Sequence, residues 1–316
     1  MKITALTENT SSREDLGSEH GLSLFIETGE TRLLFDMGQS GLFAENAEKL
    51  GVDLSSAELA VLSHGHYDHG GGLPVFLEIN DRAPVFLSRY AFDECHNAEG
   101  KYIGLDPKLK IEPRLVFTGE ETELSPALHL YACNEREPAH PIDSAGLTVR
   151  RGGEVVPDGF RHEQYLLIEE AGKRVLISGC SHKGILNLLD WFAPDVVVGG
   201  FHLMKRPADG QPGPLRGSPG EGGHAFLYLP LHRPGAIPLA EKQAPRLGLS
   251  LHRTDHRNLT DEGRVAKCNA PRNSYPSIWI NLCSGSSAGF SFGKFSVRTP
   301  FSYLALTFSS VIASPT

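Results

Sequence analysis

Four metal-competent side chains, His64, His66, Asp68 and His69, fall within six residues of the segment Ser63-His64-Gly65-His66-Tyr67-Asp68-His69-Gly70-Gly71. Imidazoles with a carboxylate suit zinc, iron or manganese. His64 and His66, two apart, are predicted to project together from an extended turn. Asp68 and His69 are adjacent, so they are expected to point apart and to serve a second metal. A His-rich surface turn is the bland alternative. Density of this kind, between an apolar run and a Gly-Gly turn, argues against it.

The apolar run is Leu59-Ala60-Val61-Leu62, a short buried strand that would deliver the loop. Around it the first two hundred residues alternate strands and helices. Strands are predicted at 3–6, 22–27, 32–35, 84–87, 115–117, 128–131, 165–168, 174–177 and 196–198. Helices are predicted over 42–50, stopped by Gly51, over 73–79 and over 185–192. Residues 134–160, polar and rich in Gly and Pro, are expected to form a loop over a site.

A second metal-competent segment, Gly179-Cys180-Ser181-His182-Lys183-Gly184, follows strand 174–177 and opens helix 185–192. Active sites favour such strand-to-helix loops. His182 could close a metal sphere begun by His64 and His66, and the helix start would favour an anion. Cys180 alone is as well explained as a small core residue. Gly199-Gly200-Phe201-His202 repeats the strand-then-His pattern, and for His202 a ligand or substrate contact and a structural role stand level. His20, just before a strand, is a weaker substrate or metal contact. Asp36, at the end of strand 32–35, could brace the His loop by a hydrogen bond. Either residue of His162-Glu163 could approach the metals.

The chain has 316 residues, enough for one or two domains with a full core. Its net charge of -8 argues against a basic nucleic-acid surface. No apolar run reaches the roughly 18 residues of a membrane span, and Met1-Lys2-Ile3-Thr4 does not start a signal peptide. Five scattered cysteines, an odd number, fit a reducing compartment. The expected setting is the cytoplasm, without nucleic acid or membrane.

These residues resemble a family. His64-Gly65-His66-Tyr67-Asp68-His69 matches the H-x-H-x-D-H motif of the metallo-β-lactamase superfamily. The finer pattern is similar to the 7,8-dihydropterin-6-yl-methyl-4-(β-D-ribofuranosyl)aminobenzene 5′-phosphate synthase-like metallo-hydrolases. It is carried by Glu8-Asn9-Thr10, Glu19-His20-Gly21-Leu22-Ser23, Phe35-Asp36-Met37-Gly38-Gln39-Ser40, Ser63 to Gly72, Gly179-Cys180-Ser181-His182 and Gly199-Gly200-Phe201-His202-Leu203. The resemblance spans residues 1–209 and implies an α+β fold, a four-layer αββα sandwich with two metals at one edge of its sheets. His64, His66, Asp68, His69 and His182 map onto metal positions, with zinc the expected ion and iron or manganese the alternatives. The resemblance also implies a late T-G-H-C-T-G-like segment, whose His completes the second metal. This chain has none.

After Asp209 the composition changes. Residues 206–248 are crowded with Pro, Gly and Arg, and no Asp or Glu follows Glu262. For the stretch from Phe226 to Gly235 codons can be chosen that, read one base further on, spell F-Y-T-C-H-C-T-G-Q, close to the absent motif. The same shift lets residues 235–258 encode an amphipathic helix and lets a stop codon fall across Leu259 and Thr260. A frameshift between Asp209 and Phe226 is therefore expected. It leaves 1–209 as the folded domain and 210–316 as an irregular, poorly ordered, out-of-frame tail.

The expected activity is that of a dinuclear metallo-hydrolase. A metal-bridging hydroxide would attack a small phosphorylated or ester substrate, Asp68 and His182 serving catalysis as well as metal binding. One alternative is the pterin-linked synthase, a transferase. Another is an inactive metal-binding remnant lacking the last His. The expected partner is the small-molecule substrate, and a homodimer stays open.

Overall fold

The computed structural model describes residues 1–11 and 13–201, and beyond them only short strands at 225–228, 277–278, 297–298 and 304–305. His202 and nearly all of the tail expected from residue 210 lie outside the described residues.

The strands in chain order are β1 (Lys2–Thr7), β2 (Ser23–Glu27), β3 (Arg32–Phe35), β4 (Leu59–Val61), β5 (Val85–Ser88), β6 (Glu94–His96), β7 (Leu115–Thr118), β8 (Glu121–Ser125) and β9 (Leu128–Tyr131). They continue with β10 (Thr148–Arg151), β11 (Glu154–Pro157), β12 (Tyr165–Glu170), β13 (Lys173–Ser178), β14 (Val196–Gly199), β15 (Ala225–Tyr228), β16 (Ser277–Ile278), β17 (Val297–Arg298) and β18 (Leu304–Ala305). Helices are α1 (Leu42–Leu50), α2 (Tyr67–Gly70), α3 (Leu73–Ile79) and α4 (Ile185–Phe192).

A seven-stranded sheet runs β18-β1-β2-β3-β4-β5-β7, antiparallel through β3 and parallel from β3 to β7. A six-stranded sheet runs β15-β14-β13-β12-β9-β8, with β13, β14 and β15 parallel. Side chains alternate across each strand, and both faces of the central strands are buried. Leu24, Ile26, Leu33, Phe35 and Val61 point into the space between the sheets, against Leu130, Leu166, Ile168, Val175, Ile177 and Val198. Their neighbours Phe25, Leu34 and Ala60 point the other way, onto Phe43 and Ala47 of α1 and Leu73 and Phe76 of α3. On the outer face of the second sheet, Tyr165, Leu167, Leu176 and Val197 pack on Leu188 and Phe192 of α4. The layers are therefore helix, sheet, sheet, helix, as expected. Each fully buried Leu, Ile or Phe contributes about 1.5–3 kcal/mol, which offsets the polar burial described below.

Residues 134–160 differ from the predicted loop. They contain the hairpin β10–β11, which joins β6 in a three-stranded sheet. Its charged residues Arg150, Arg151 and Glu154 hid the alternation that marks a strand. β8, just as polar, escaped for the same reason.

Candidate metal centre

Strand β4 ends at Val61 and releases the His loop directly from the core. His64, His66, Asp68 and His69 are all buried there. A buried carboxylate, Asp36, organises the loop. It accepts hydrogen bonds from Ser63 N (2.7 Å), Ser63 Oγ (2.7 Å) and His69 Nδ1 (2.7 Å). The single Ser63 hydroxyl proton goes to Asp36, so Ser63 Oγ accepts from His64 Nδ1, 2.8 Å away. Both rings are thereby fixed with Nδ1 protonated and Nε2 turned inward. Carboxylate–histidine pairs of this kind orient metal ligands. The sequence expectation for Asp36 holds.

The second loop, after β13, is held differently. Glu163 accepts from the backbone N–H groups of His182 (2.8 Å) and Lys183 (3.0 Å), and from the Tyr165 hydroxyl. Phe160 stacks on the His182 ring, centroids 4.4 Å apart and planes 10° from parallel. Gly179 permits the two loops to meet: a Cβ there would lie 2.1 Å from Ser63 Oγ. Three residues around the site, Asp36, Phe160 and Ser181, adopt positive φ. Such backbone strain persists where surrounding contacts over-determine it.

The loops bring His64 Nε2 and His182 Nε2 to 3.4 Å. His66 joins them with ring centroids 4.7 Å from His64 and 5.0 Å from His182, and its buried Nε2 has no hydrogen-bond partner. These three imidazoles form one potential metal-holding group, and His64, His69 and Cys180 form another. Cys180 Sγ lies 3.2 Å from His69 Nε2. Burial, reinforced by neighbouring rings, drives His64 well below the ordinary histidine range. His66 is lowered to about 3, also chiefly by burial. Both therefore present lone pairs at neutral pH. Burial lowers His69 too, but Cys180, Asp36 and Asp68 outweigh it and hold that ring well above the usual value. Burial raises the Cys180 thiol to about 11. A cation there would have to displace protons. The donor set fits divalent metal ions.

Asp68 and His69 do not point apart. Both sit on the single turn α2, with Asp68 Oδ2 3.8 Å from His69 Nε2, because a helix start replaces the expected extended turn. Burial notwithstanding, His69, His66 and His20 hold the Asp68 carboxyl below its ordinary range. His20, half exposed, reaches Asp68 at 3.3 Å. Its approach depends on Gly21, at φ +131°, where a Cβ would lie 1.9 Å from the Asp68 carbonyl oxygen. Glu163 braces backbone and does not face the rings. His162 does: its ring centroid is 4.9 Å from His66. Sequence reasoning missed the stacking of Phe160, the bridging hydroxyl of Ser63 and the Asp158 carboxylate that holds His162 Nε2 at 3.0 Å.

The metallo-beta-lactamase superfamily model matches residues 16–219. An uncharacterized protein of Methanocaldococcus jannaschii is 30% identical over 212 residues, 64% of this chain and 79% of the relative. The 7,8-dihydropterin-6-methyl-4-(beta-D-ribofuranosyl)-aminobenzene-5'-phosphate synthase of the same organism is 29% identical over 234 residues, 65% of this chain and 78% of the relative. Among solved structures, Tm1679, a metal-dependent hydrolase of the beta-lactamase superfamily, aligns with TM-score 0.56 and 34% identity over 66% of this chain and 79% of that one. With the αββα layers and the His-rich edge, these matches place the chain in the metallo-β-lactamase superfamily.

Proposed function

We propose that this protein is a dinuclear metal-dependent hydrolase of small phosphorylated or ester substrates. The observation that carries the reading is the convergence of His64 Nε2 and His182 Nε2 at 3.4 Å beside the unpartnered Nε2 of His66. Buried lone pairs aimed at one point are costly unless a cation receives them. His64, His66 and His182 would hold the first ion, Asp68 and His69 the second, with Cys180 at its edge. Zinc suits this set, with iron or manganese as alternatives. Bound divalent ions supply Lewis-acid activation of water and neutralise charge developing on the substrate. Asp68, ionised at neutral pH, would orient the attacking water, and His20 connects it to the solvent side. Helix α4 begins at Gly184 with no side-chain cap, so its first N–H groups can receive a phosphate.

The second reading is the pterin-linked synthase, supported by the relative of that name. Turnover of phosphodiester, ester and lactone substrates by the metal-loaded chain supports a hydrolase. Product formed only from a pterin and a phosphoribosyl-aminobenzene substrate supports the synthase.

The tail bears on both. Ser178, Gly199 and Tyr228 pair in register, so β13, β14 and β15 end at one sheet edge, the edge that carries His182. In the shifted reading a histidine falls at codon 230, two residues past the end of β15. That supports a frameshift before Phe226, with residues beyond it out of frame. The coding DNA across codons 209–260 tests it, and nucleotides that cannot spell the shifted peptide end the idea. One bound metal and no turnover, both restored by repairing the frame, would mark this chain as an inactive remnant.

A further inference from the structure

Among the described residues, every arginine but two has a guanidinium ion pair or a guanidinium hydrogen bond to a backbone carbonyl. Arg89 and Arg161 are the exceptions, and both lie on one ring. The Arg161 guanidinium carbon is 3.8 Å from the Tyr90 ring centroid, and that of Arg89 is 5.7 Å from it. Arg89 is exposed, and Arg161 and Tyr90 are half-buried, so the group lies at the surface. Carboxylates close along the chain are engaged elsewhere. Asp93 pairs with Arg151, and Glu94 with Arg150. Glu120 accepts from the backbone N–H groups of Asn134 and Glu135.

The backbone carrying these side chains is tied down. Ser88 Oγ donates to the Arg161 carbonyl at 3.3 Å and accepts from Tyr90 N at 3.3 Å. Asn134 Nδ2 donates to the same carbonyl at 3.1 Å, and Arg89 N donates to the Thr118 carbonyl at 3.4 Å. The position is the sheet edge that holds the metal centre. Strands β4 and β5 are parallel, so the His loop and the turn after Ser88 leave the same edge. The two turns pack together: a Cβ at Gly65 would lie 2.1 Å from the Ala91 carbonyl oxygen. Arg161 directly precedes His162, whose ring centroid is 4.9 Å from that of His66.

Two like charges gathered on one ring repel, and an anion between them removes that cost. Guanidinium groups hold phosphate through paired N–H donors. We infer that Arg89 and Arg161, ordered by Tyr90, form an anion subsite for a phosphate group. Assigning that phosphate to the substrate of the metal centre rests on the hydrolase reading. The subsite would then anchor the substrate at a point away from the ions.

The test titrates inorganic phosphate, and separately phenyl phosphate, into the full chain stripped of metal with chelator. Calorimetry at low ionic strength should show binding that weakens by about tenfold or more in Arg161→Gln and in Arg89→Gln. Tyr90→Leu, which keeps both charges and removes their platform, should weaken it less. Arg89→Gln carries the test if Arg161→Gln does not fold, as judged by circular dichroism. Equal affinity in the wild type and both folded variants overturns the subsite, as does a wild type that binds neither ligand. Phenyl phosphate bound as tightly as inorganic phosphate supports a phosphorylated substrate, and binding of the free ion alone overturns that assignment. Turnover decides the hydrolase reading separately. In the metal-loaded chain, the kcat/KM preference for a phosphate-bearing ester over its phosphate-free counterpart should fall about tenfold in Arg161→Gln. No turnover in the wild type would count against the hydrolase reading, while the metal-free titration decides the subsite by itself.

Discussion

The two loops that supply imidazoles are braced by buried carboxylates acting in opposite ways. Asp36 touches the His69 ring directly and the His64 ring through Ser63, so it sets tautomer and direction. Glu163 touches no ring and grips the backbone of His182 and Lys183. One carboxylate sets the direction of two imidazole rings; the other holds a loop in shape. The orientation of His182 falls instead to an aromatic stack.

The difference can be broken apart experimentally. Glu163→Ala should have the largest effect. It strands two backbone donors and the buried Tyr165 hydroxyl, each worth about 1–3 kcal/mol when left unsatisfied. Chemical denaturation should show a loss of about 3–9 kcal/mol, with metal affinity weakened only as far as the folded fraction falls. Asp36→Asn should show the reverse emphasis. An amide cannot accept from both Ser63 Oγ and His69 Nδ1 through its nitrogen side, so ring direction is lost. Metal affinity should drop by about 10–100-fold in calorimetric titration, with a smaller stability change. Equal effects on stability and affinity in the two variants would erase the distinction.

A third test varies pH. His66, at about 3, and His64, well below 6.5, stay neutral when folded but protonate in the unfolded chain. The unfolded state thus binds more protons below 6.5, and stability is lost as pH falls from there. Glu8, pushed by burial to about 8, opposes this above 4.5, because its folded form keeps a proton that the unfolded chain releases. Two rings less one acid leave about 1.4 kcal/mol per pH unit between 6.5 and 4.5 in the metal-free protein. Thermal melts across that range measure it, and a flat profile contradicts the neutral-ring assignment.

What the sequence revealed follows the same divide. Elements with apolar alternation, such as 32–35, 165–168 and 174–177, were legible because both faces are buried. The hairpin β10–β11 was not, because its stability lies in pairing with β6 rather than in its own pattern. His64, His66 and His182 were legible as donors because each loop follows a core strand. Asp36 was legible from its place at a strand end. Glu163 and Phe160 were not: their roles arise from contacts with residues distant along the chain, which no local spacing records.

The smallest predicted effect isolates His182 from its loop. Phe160 lies flat on that ring at positive φ, so its side chain is held in place by a strained backbone. Phe160→Leu keeps the site apolar and leaves the grip of Glu163 on the loop untouched. The aromatic stack is worth about 0.5–1.5 kcal/mol beyond burial, so stability should change by about that amount. If the stack aims the ring, affinity for the first ion should fall several-fold while binding at the Asp68–His69 side is unchanged. If Glu163 alone aims it through the backbone, first-ion affinity in Phe160→Leu will match the wild type, and the division of labour between the two braces will have to be redrawn.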